Sequence, residues 1–359
     1  MQRPLLPDLS ARAVPARNAN ILIERSAAMG HERATLLRNT GIDETLLETP
    51  GARISYQNFI NLLFNINELG IYPKIFLTSQ DNFSIASYGM LGYAMMSSDT
   101  LRQALNIALK YYRTSGPLCE FSFHFRDSEV LIQADNSFYL GEDLLPLVIE
   151  DLFASFPPLL DRLLGEPLLP RRVEFSYPAP PHASEYKHHF ACPVEFNAPT
   201  NRFVLDARAL DLPLVQADAD AALVFEESCR NLLLEIETHD SLANRMRKTL
   251  ISSPGRLMSA DEMAKYLNIG TRTLRRRLAR EKTSYQKILD EVRARLASDY
   301  LKTTLLSNQE IAELLGYTEA TNFRRAFIRW MGCSPGSYRK RPYAYRDSGF
   351  LNLRKLRQE

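Results

Sequence analysis

The sequence predicts two domains: an α+β N-terminal domain, and an all-α C-terminal domain with two helix-turn-helix units joined by a long helix. Three observations lead to this prediction. Residues 246–359 contain 24 basic and 11 acidic residues, whereas residues 1–245 contain 20 and 31. Alternating and helical hydrophobic patterns are mixed in the first part, and only helical patterns follow. Finally, a helix, a turn with glycine and a second helix occur twice in the basic part.

The composition is that of an ordinary globular protein, with 45% hydrophobic and 24% charged residues in a chain of 359. No apolar run approaches the roughly 20 residues that a membrane span needs, so no membrane partner is expected. The opening stretch MQRPLLPDLSARAVPARN lacks an apolar segment of signal-peptide length. The cysteines are scattered without the spacing of metal ligands, which favours a reducing, cytoplasmic location.

The expected segments are a disordered leader over 1–17, a first domain over 18–240, a linker over 241–256, a second domain over 257–341 and a basic tail over 342–359. A long helical pattern runs from about Asp218 to Thr249, and the SSPG stretch that follows breaks it. We therefore place the boundary between the domains near residues 238–256.

Helical patterns come first in the N-terminal domain. Apolar residues at three-to-four spacing predict helices between residues 20 and 70 and over 99–113. Asp99 is the expected N-cap of the second of these regions. Its apolar stripe is expected to contain Leu101, Leu105, Ala108 and Tyr112.

Strand patterns follow. Alternation of apolar and polar residues predicts a β-hairpin over 119–135 with its turn at Asp127-Ser128. Residues 144–165 return to a helical pattern that is expected to break at Pro157-Pro158. Short strands are predicted in RRVEFSYPAPP and CPVEFNAPTNRFVLD. The mixture defines the α+β class of this domain.

An aromatic and methionine-rich stretch, SYGMLGYAMM over 87–96, could line an apolar ligand pocket, or it could be plain core. The candidate pocket residues are Tyr88, Met90, Tyr93, Met95, Tyr111 and Tyr112. The adjacent pair His188-His189 does not converge on one ion, so no metal site is expected. The chain has no GxSxG, Walker, GxGxxG or HExxH motif, so we expect neither an enzyme nor a bound cofactor.

Two capping boxes mark the starts of the helix pairs in the C-terminal domain. Ser259 with Glu262 opens the first pair, and a tight turn containing Gly270 separates its helices. Ser307 with Glu310 opens the second pair, and Gly316 starts its turn. One such pattern is common in proteins, whereas two in one chain are much harder to obtain by chance.

The second helix of each pair has the same angular plan at about 100° per residue. In TRTLRRRLARE, Leu274 and Leu278 share one face, and Arg272, Arg276 and Arg280 lie opposite. In the second pair, Phe323, Phe327 and Trp330 define the apolar face, opposite Thr321, Arg325 and Arg329. A solvated helix face is the alternative, but like charges at i,i+4 cost roughly 0.2–0.5 kcal/mol per pair and no glutamate relieves them.

A continuous helical pattern over 284–304 connects the two pairs, with Ile288, Val292, Leu296 and Tyr300 on one stripe. Its 21 residues would span about 31 Å. One turn of B-DNA is roughly 34–36 Å, so such a helix could hold two reading helices in successive major grooves of double-stranded DNA.

These motifs resemble the DNA-binding domain of AraC/XylS-type transcription regulators. The similarity runs without a gap over residues 259–339 and is strongest at IAELLGY, NFRRAFIRWMG and SPGSYR. The first 245 residues resemble the sensor region of the ornithine-utilisation and virulence-regulator branch, through LGYAMMSSDTLRQAL and CPVEFNAPTNRFVLD. This branch has a non-cupin, arabinose-binding-type N-terminal domain. The resemblance implies an effector-binding and dimerisation domain before the DNA-binding domain.

The resemblance also assigns DNA contacts. Its base-reading positions fall on Arg272, Arg275, Arg276, Thr321, Asn322, Arg324 and Arg325. Contacts to phosphates are expected from Arg277, Arg280, Arg329 and Arg339. Three further basic residues are expected to be solvated: Lys282, Arg293 and Arg295.

We therefore expect a DNA-binding transcription regulator, an activator that works with RNA polymerase, controlled by a small-molecule effector in the N-terminal domain. A second hypothesis is that this domain serves only dimerisation or control by another protein, without a small ligand. A third, an enzyme such as a DNA-repair methyl acceptor, is disfavoured because the cysteines do not cluster. A homodimer is one option for the oligomeric state.

Overall fold

The computed structural model describes residues 9–340 apart from 72–84, 127, 137, 139, 142, 239–241, 253–256 and 282. The chain divides into two compact units. The first comprises the described residues of 9–136 and 143–238, and the second comprises those of 137–142 and 242–340. The first unit contains helices and two sheets, and the second contains helices. The predicted α+β domain followed by an all-α domain is confirmed.

Nine α-helices are described in the first unit. They are α1 (Ala16–Ala28), α2 (Arg33–Leu37), α3 (Tyr56–Glu68), α4 (Met90–Met96), α5 (Leu101–Tyr111), α6 (Leu145–Ala154), α7 (Phe156–Leu164), α8 (Ala183–Phe190) and α9 (Ala219–Thr238). Single 3₁₀ turns lie at Glu44–Leu46, Ile85–Tyr88, Tyr112–Ser115 and Ala207–Asp211.

Two sheets complete the unit. Its strands are β1 (Val14–Pro15), β2 (Arg53–Ile54), β3 (Glu120–Arg126), β4 (Glu129–Asp135), β5 (Arg172–Glu174), β6 (Val194–Glu195) and β7 (Asn201–Asp206). Strands β1 and β2 pair with each other, and the larger sheet has the order β3-β4-β7-β5-β6. All pairs are antiparallel except β5 with β6. The expected hairpin is therefore present as β3 and β4.

The expected disordered leader over 1–17 extends too far. Strand β1 and the first residues of α1 already belong to the folded unit, because Val14 and Ala16 are buried against it. The Arg53 guanidinium donates to the carbonyl oxygens of Ala13 and, at 2.8 Å, Thr114, which ties β1 to its neighbours. Residues 1–8 lie outside the described residues.

Three boundaries in the first unit differ from expectation. Thr100 caps α5 in place of Asp99, because its hydroxyl accepts a hydrogen bond from the Gln103 amide. The break between α6 and α7 falls at Ser155, and Pro157-Pro158 lie in the first turn of α7, where a missing amide proton costs no helical hydrogen bond. The long helical pattern after Asp218 ends as α9 at Thr238.

The second unit contains α10 (Leu242–Ser252), α11 (Ala260–Tyr266), α12 (Thr271–Arg280), α13 (Tyr285–Thr303), α14 (Asn308–Leu314), α15 (Ala320–Met331) and α16 (Pro335–Lys340). Helix α10 occupies most of the expected linker over 241–256. It is helical because Ala243, Met246 and Leu250 share one face and join the core of this unit. The expected basic tail lies outside the described residues. No described helix is both long and apolar enough to cross a membrane.

Candidate nucleic-acid interface

The first helix pair consists of α11 and α12. Both halves of the expected capping box are present, with Glu262 N donating to Ser259 Oγ at 3.2 Å and Ser259 N donating to Glu262 Oε2 at 2.7 Å. The left-handed residue of the turn is Asn268, with φ of 53°, and Gly270 is the extended N-cap of α12. Asparagine tolerates this conformation better than most residues, so the turn does not need its glycine there.

Helix α12 is fixed on one face and open on the other. Leu274 and Leu278 are buried in the core of the unit, and Thr271 Oγ1 donates to Asp261 Oδ1 of α11 at 2.9 Å. The arginines on this helix are all exposed: Arg272, Arg275, Arg276, Arg277 and Arg280. None of their guanidinium groups forms a hydrogen bond or ion pair with a described residue, so their donors are available to a partner.

The second pair, α14 and α15, repeats the construction. Glu310 N donates to Ser307 Oγ at 3.2 Å, and Ser307 N donates to Glu310 Oε2 at 2.7 Å. The backbone hydrogen bond from Ser307 lowers the pKa of Glu310. Gly316 takes φ of 73°, where a side chain would be strained, and the Ala320 amide donates to Gln309 Oε1 at 3.2 Å. The two pairs therefore share caps, turn and a bond between their helices.

The exposed face of α15 presents a mixed set of groups. Phe323, Phe327 and Met331 are buried. Four of the predicted base-reading residues lie on the exposed face, and their side chains have no polar partner among the described residues: Thr321, Asn322, Arg324 and Arg325.

Two predicted phosphate contacts have partners within the protein. Arg329 lies 3.5 Å from Asp290, in a pair that is too exposed and too long to hold it firmly. Arg339 is half-buried and its guanidinium donates to the Leu306 carbonyl oxygen. Part of the donor capacity of Arg339 is thus already used to fix the segment before α14.

Helix α13 connects the pairs. All four residues of the predicted stripe are buried in the common core: Ile288, Val292, Leu296 and Tyr300. Ser298 and the buried Tyr338 hydroxyl of α16 are 2.6 Å apart, which ties the end of the domain to α13. The 19 residues of α13 correspond to about 28 Å. One continuous core therefore supports both arginine-bearing helices.

The expectation that Arg293 and Arg295 are solvated is wrong, and Lys282 lies outside the described residues. Arg293 Nε donates to the Leu315 carbonyl oxygen at 2.9 Å, and its guanidinium lies 4.7 Å from the centre of the Tyr317 ring. Burial raises the pKa of Tyr317, against the effect of Arg293. Arg295 is buried and donates to Asp299 at 3.0 Å. Long side chains on the flanks of the apolar stripe reach partners that the helix pattern does not show.

The N-terminal unit contains a partly open cavity of about 260 Å³. Three of the predicted pocket residues line it: Tyr88, Met95 and Tyr112. Leu105 and Ala108, expected as part of the buried stripe of α5, also face this cavity. Leu101 of the predicted stripe is buried, and the rest of the buried side of α5 consists of Ala104, Ile107 and Tyr111.

The other three predicted pocket residues lie elsewhere. Met90 is 46% exposed. Tyr93 stacks on Phe225 of α9, with ring centres 5.4 Å apart. The Tyr111 hydroxyl donates to Glu226 Oε1 at 3.0 Å. The helical period puts these side chains on faces of α4 and α5 that pack against α9 or meet solvent.

Two family models match the chain. The arabinose-binding domain of AraC transcription regulators matches residues 30–214, and a helix-turn-helix domain matches residues 263–341. The ornithine utilization regulator of Pseudomonas aeruginosa is 34% identical over 95% of this chain and 100% of its own length. The regulator VqsM of the same species is 34% identical over 72% of this chain and 81% of its own.

A solved structure, the transcriptional regulator CdpR from Pseudomonas aeruginosa, aligns with 94% of this chain and 100% of its own at 20% identity and a TM-score of 0.40. The relatives are transcription regulators, and the helix-turn-helix domain is a module for double-stranded DNA. Because both family models match and the ornithine utilization regulator is similar over 95% of the chain, this chain belongs to the AraC family of transcription regulators and is not an enzyme.

Proposed function

We propose that the protein binds promoter DNA through α12 and α15, placed in two successive major grooves on one face of the duplex. The observation that supports this most is the repeated helix pair on one shared core, with exposed and unpartnered side chains on both reading helices. The roughly 28 Å of α13 is close to one turn of DNA, about 34–36 Å.

The residue roles follow from chemistry. Arginine donates two parallel hydrogen bonds to guanine O6 and N7, asparagine matches adenine, and a threonine methyl contacts the methyl of thymine. The base-reading set is Arg272, Arg275, Arg276, Thr321, Asn322, Arg324 and Arg325. We assign phosphate contacts to Arg277, Arg280 and Arg329, with Arg339 as a weaker contributor because of its bond to Leu306.

The test compares two kinds of arginine variant in the full chain. A DNA site is first selected from random duplexes, and binding is then measured by fluorescence anisotropy. Arg276→Ala and Arg325→Ala should each weaken binding by about 1–3 kcal/mol and relax the preference at one base pair. Arg280→Ala should weaken all sequences alike and make the salt slope shallower by about one.

The matched control is Arg162→Ala, which removes the same charge from an exposed position on α7 and should leave binding unchanged. Normal promoter binding by both kinds of variant would show that α12 and α15 do not read DNA.

We further propose that a small-molecule effector in the N-terminal cavity controls DNA binding. Support comes from the cavity itself and from the match to an arabinose-binding-type domain. The direct test is a ligand screen by thermal shift of the full chain, followed by anisotropy on promoter DNA. A ligand that changes promoter affinity supports effector control. If only a protein partner or dimerisation changes it, the N-terminal domain works without a small ligand.

Within this proposal the protein acts in the cytoplasm as an activator that recruits RNA polymerase, and a homodimer is the assembly to test. Transcription reconstituted from purified polymerase and the selected promoter decides the sign: added protein should raise transcript yield. A fall in yield would make it a repressor. Light scattering with and without DNA measures the oligomeric state.

A further inference from the structure

The cavity in the N-terminal unit is mainly apolar but contains a carboxylate. Its walls come from helices α1 and α3 to α7 and from strands β3 and β4, with residues such as Leu63, Leu105, Phe121, Val148 and Leu160. The volume of about 260 Å³ lies just below the usual range of ligand pockets, roughly 300–1,000 Å³. The size and lining therefore suit a small ligand with an apolar body.

Asp151 is the carboxylate in this wall. It lies on α6 next to Glu150, and the two acids have opposite surroundings. Glu150 is fully buried and accepts hydrogen bonds from the Tyr177 hydroxyl at 3.1 Å and from His182 at 3.3 Å. Asp151 lines the cavity with an exposed side chain, and among the described residues nothing donates a hydrogen bond to it. Desolvation by the surrounding protein raises its pKa to about 6, opposed by the charge of Arg25.

The groups near Asp151 do not supply the missing partner. Ser155 Oγ donates its proton to the Leu152 carbonyl oxygen at 2.6 Å. The Tyr88 hydroxyl lies 2.6 Å from Ser155 Oγ and therefore donates its own proton to Ser155. Burial raises the pKa of the nearby Cys119 thiol, which stays neutral. Arg25 also lines the cavity but forms no ion pair with Asp151 among the described residues.

We propose that this cavity binds a small amphiphile with one protonated amine beside Asp151 and an apolar body against α5 and α7. The inference rests on the proposed effector control and names the chemical class of the effector. An unpaired carboxylate in apolar surroundings is costly, and a cation with N–H donors compensates that cost. A carboxylate ligand would be repelled by Asp151, and a neutral alkyl chain would leave it unpaired.

The experiment uses three six-carbon probes on the full chain: hexylamine, hexanoate and 1-hexanol. Isothermal titration at pH 7 should show hexylamine binding at least tenfold more tightly than hexanol, with hexanoate weakest. Asp151→Asn should abolish the advantage of hexylamine, and Asp151→Ala provides a second variant. Thermal unfolding of each variant verifies that it folds. Glu24→Gln removes one carboxylate from the exposed face of α1 and should change nothing.

Three results would overturn the proposal. Hexanoate could bind most tightly and lose its binding in Arg25→Gln, all three probes could bind equally, or none could bind. The affinity of the full chain for promoter DNA is also measured with each probe present. This measurement separates a failure of the amine inference from a failure of effector control. If hexanoate binds and changes promoter affinity, effector control holds and only the amine class fails. If promoter binding does not respond to any bound probe, effector control fails while the DNA contacts stand on the arginine variants.

Discussion

Arginine side chains have two different roles in the C-terminal unit. The two roles differ in whether the guanidinium group contacts other residues of the protein. Arg293 is held by the Leu315 carbonyl oxygen and the Tyr317 ring, whereas Arg272 and Arg276 have no partner among the described residues. The sequence predicts the outward-facing row of arginines because the 3.6 residues per turn of an α-helix determine which side chains share a face. It does not predict the role of Arg293, because that role depends on a contact 22 residues away in the chain.

Arg293→Ala should destabilise the protein without changing base preference. The variant loses a charged hydrogen bond and a cation–π contact, together about 1–3 kcal/mol of unfolding free energy. Urea unfolding measures the loss, and the comparison variant Arg276→Ala should stay within about 0.5 kcal/mol of the parent. Equal stability of Arg293→Ala and the parent would rule out the structural role.

Asp151 should make stability depend on pH. Its pKa is raised to about 6 in the folded protein against roughly 3.9 for an unperturbed aspartate, so the folded state binds the extra proton. Relative to Asp151→Asn, the parent should therefore lose stability as pH rises from about 4 to 6 and stay less stable above it. Thermal midpoints of both proteins across pH 4 to 8 test this. A constant difference between them would mean that Asp151 is not desolvated.

At the scale of elements, the strongest predictions came from local signals. Both capping boxes, the β3–β4 hairpin and the stripe of α13 are present because each depends on residues close in sequence. The turn glycine and the linker were harder to place. Asn268 takes the left-handed position because an asparagine tolerates it, and α10 is part of the core because its apolar face meets other helices. Neither fact follows from the local pattern alone.

The caps of the two helix pairs should contribute equally to stability. Ser259→Ala and Ser307→Ala each remove the hydroxyl that accepts a hydrogen bond from the amide three residues later, at Glu262 or Glu310. Each loss should lower the free energy of unfolding by about 1 kcal/mol. Guanidinium unfolding gives the values. The neighbouring Asn308 has an exposed side chain with no polar partner among the described residues, so Asn308→Ala is expected to be neutral or slightly stabilising. A loss for Asn308→Ala as large as for Ser307→Ala would contradict the capping account.

For the whole molecule, charge separation was visible in the sequence and the cavity was not. The basic part of the chain contains the helix-turn-helix domain. Net charge is a sum over residues, so it can be read from the sequence without the fold. The cavity is assembled from segments between Asn18 and Leu163 that are distant along the chain. The aromatic stretch over 87–96 pointed to part of its wall, but Asp151 is marked in the sequence only as an acid within an apolar helix.

Salt should weaken DNA binding steeply because phosphate contacts release counterions. With about four phosphates neutralised, the logarithm of the binding constant should fall against the logarithm of salt concentration with a slope of about −4. Anisotropy between 50 and 300 mM salt measures it. A slope near zero would mean that the exposed arginines do not meet phosphates.

The spacing of the bound DNA tests the central claim, two reading helices in successive major grooves, most directly. The affinity of the full chain is measured on the selected site and on versions with five or ten base pairs inserted between its half-sites. We predict half-sites about 10–10.5 base pairs apart, and a drop to the affinity of a single half-site for both insertions, because α13 has a fixed length. Unchanged affinity after either insertion, or equal binding to one half-site alone, would contradict bipartite reading.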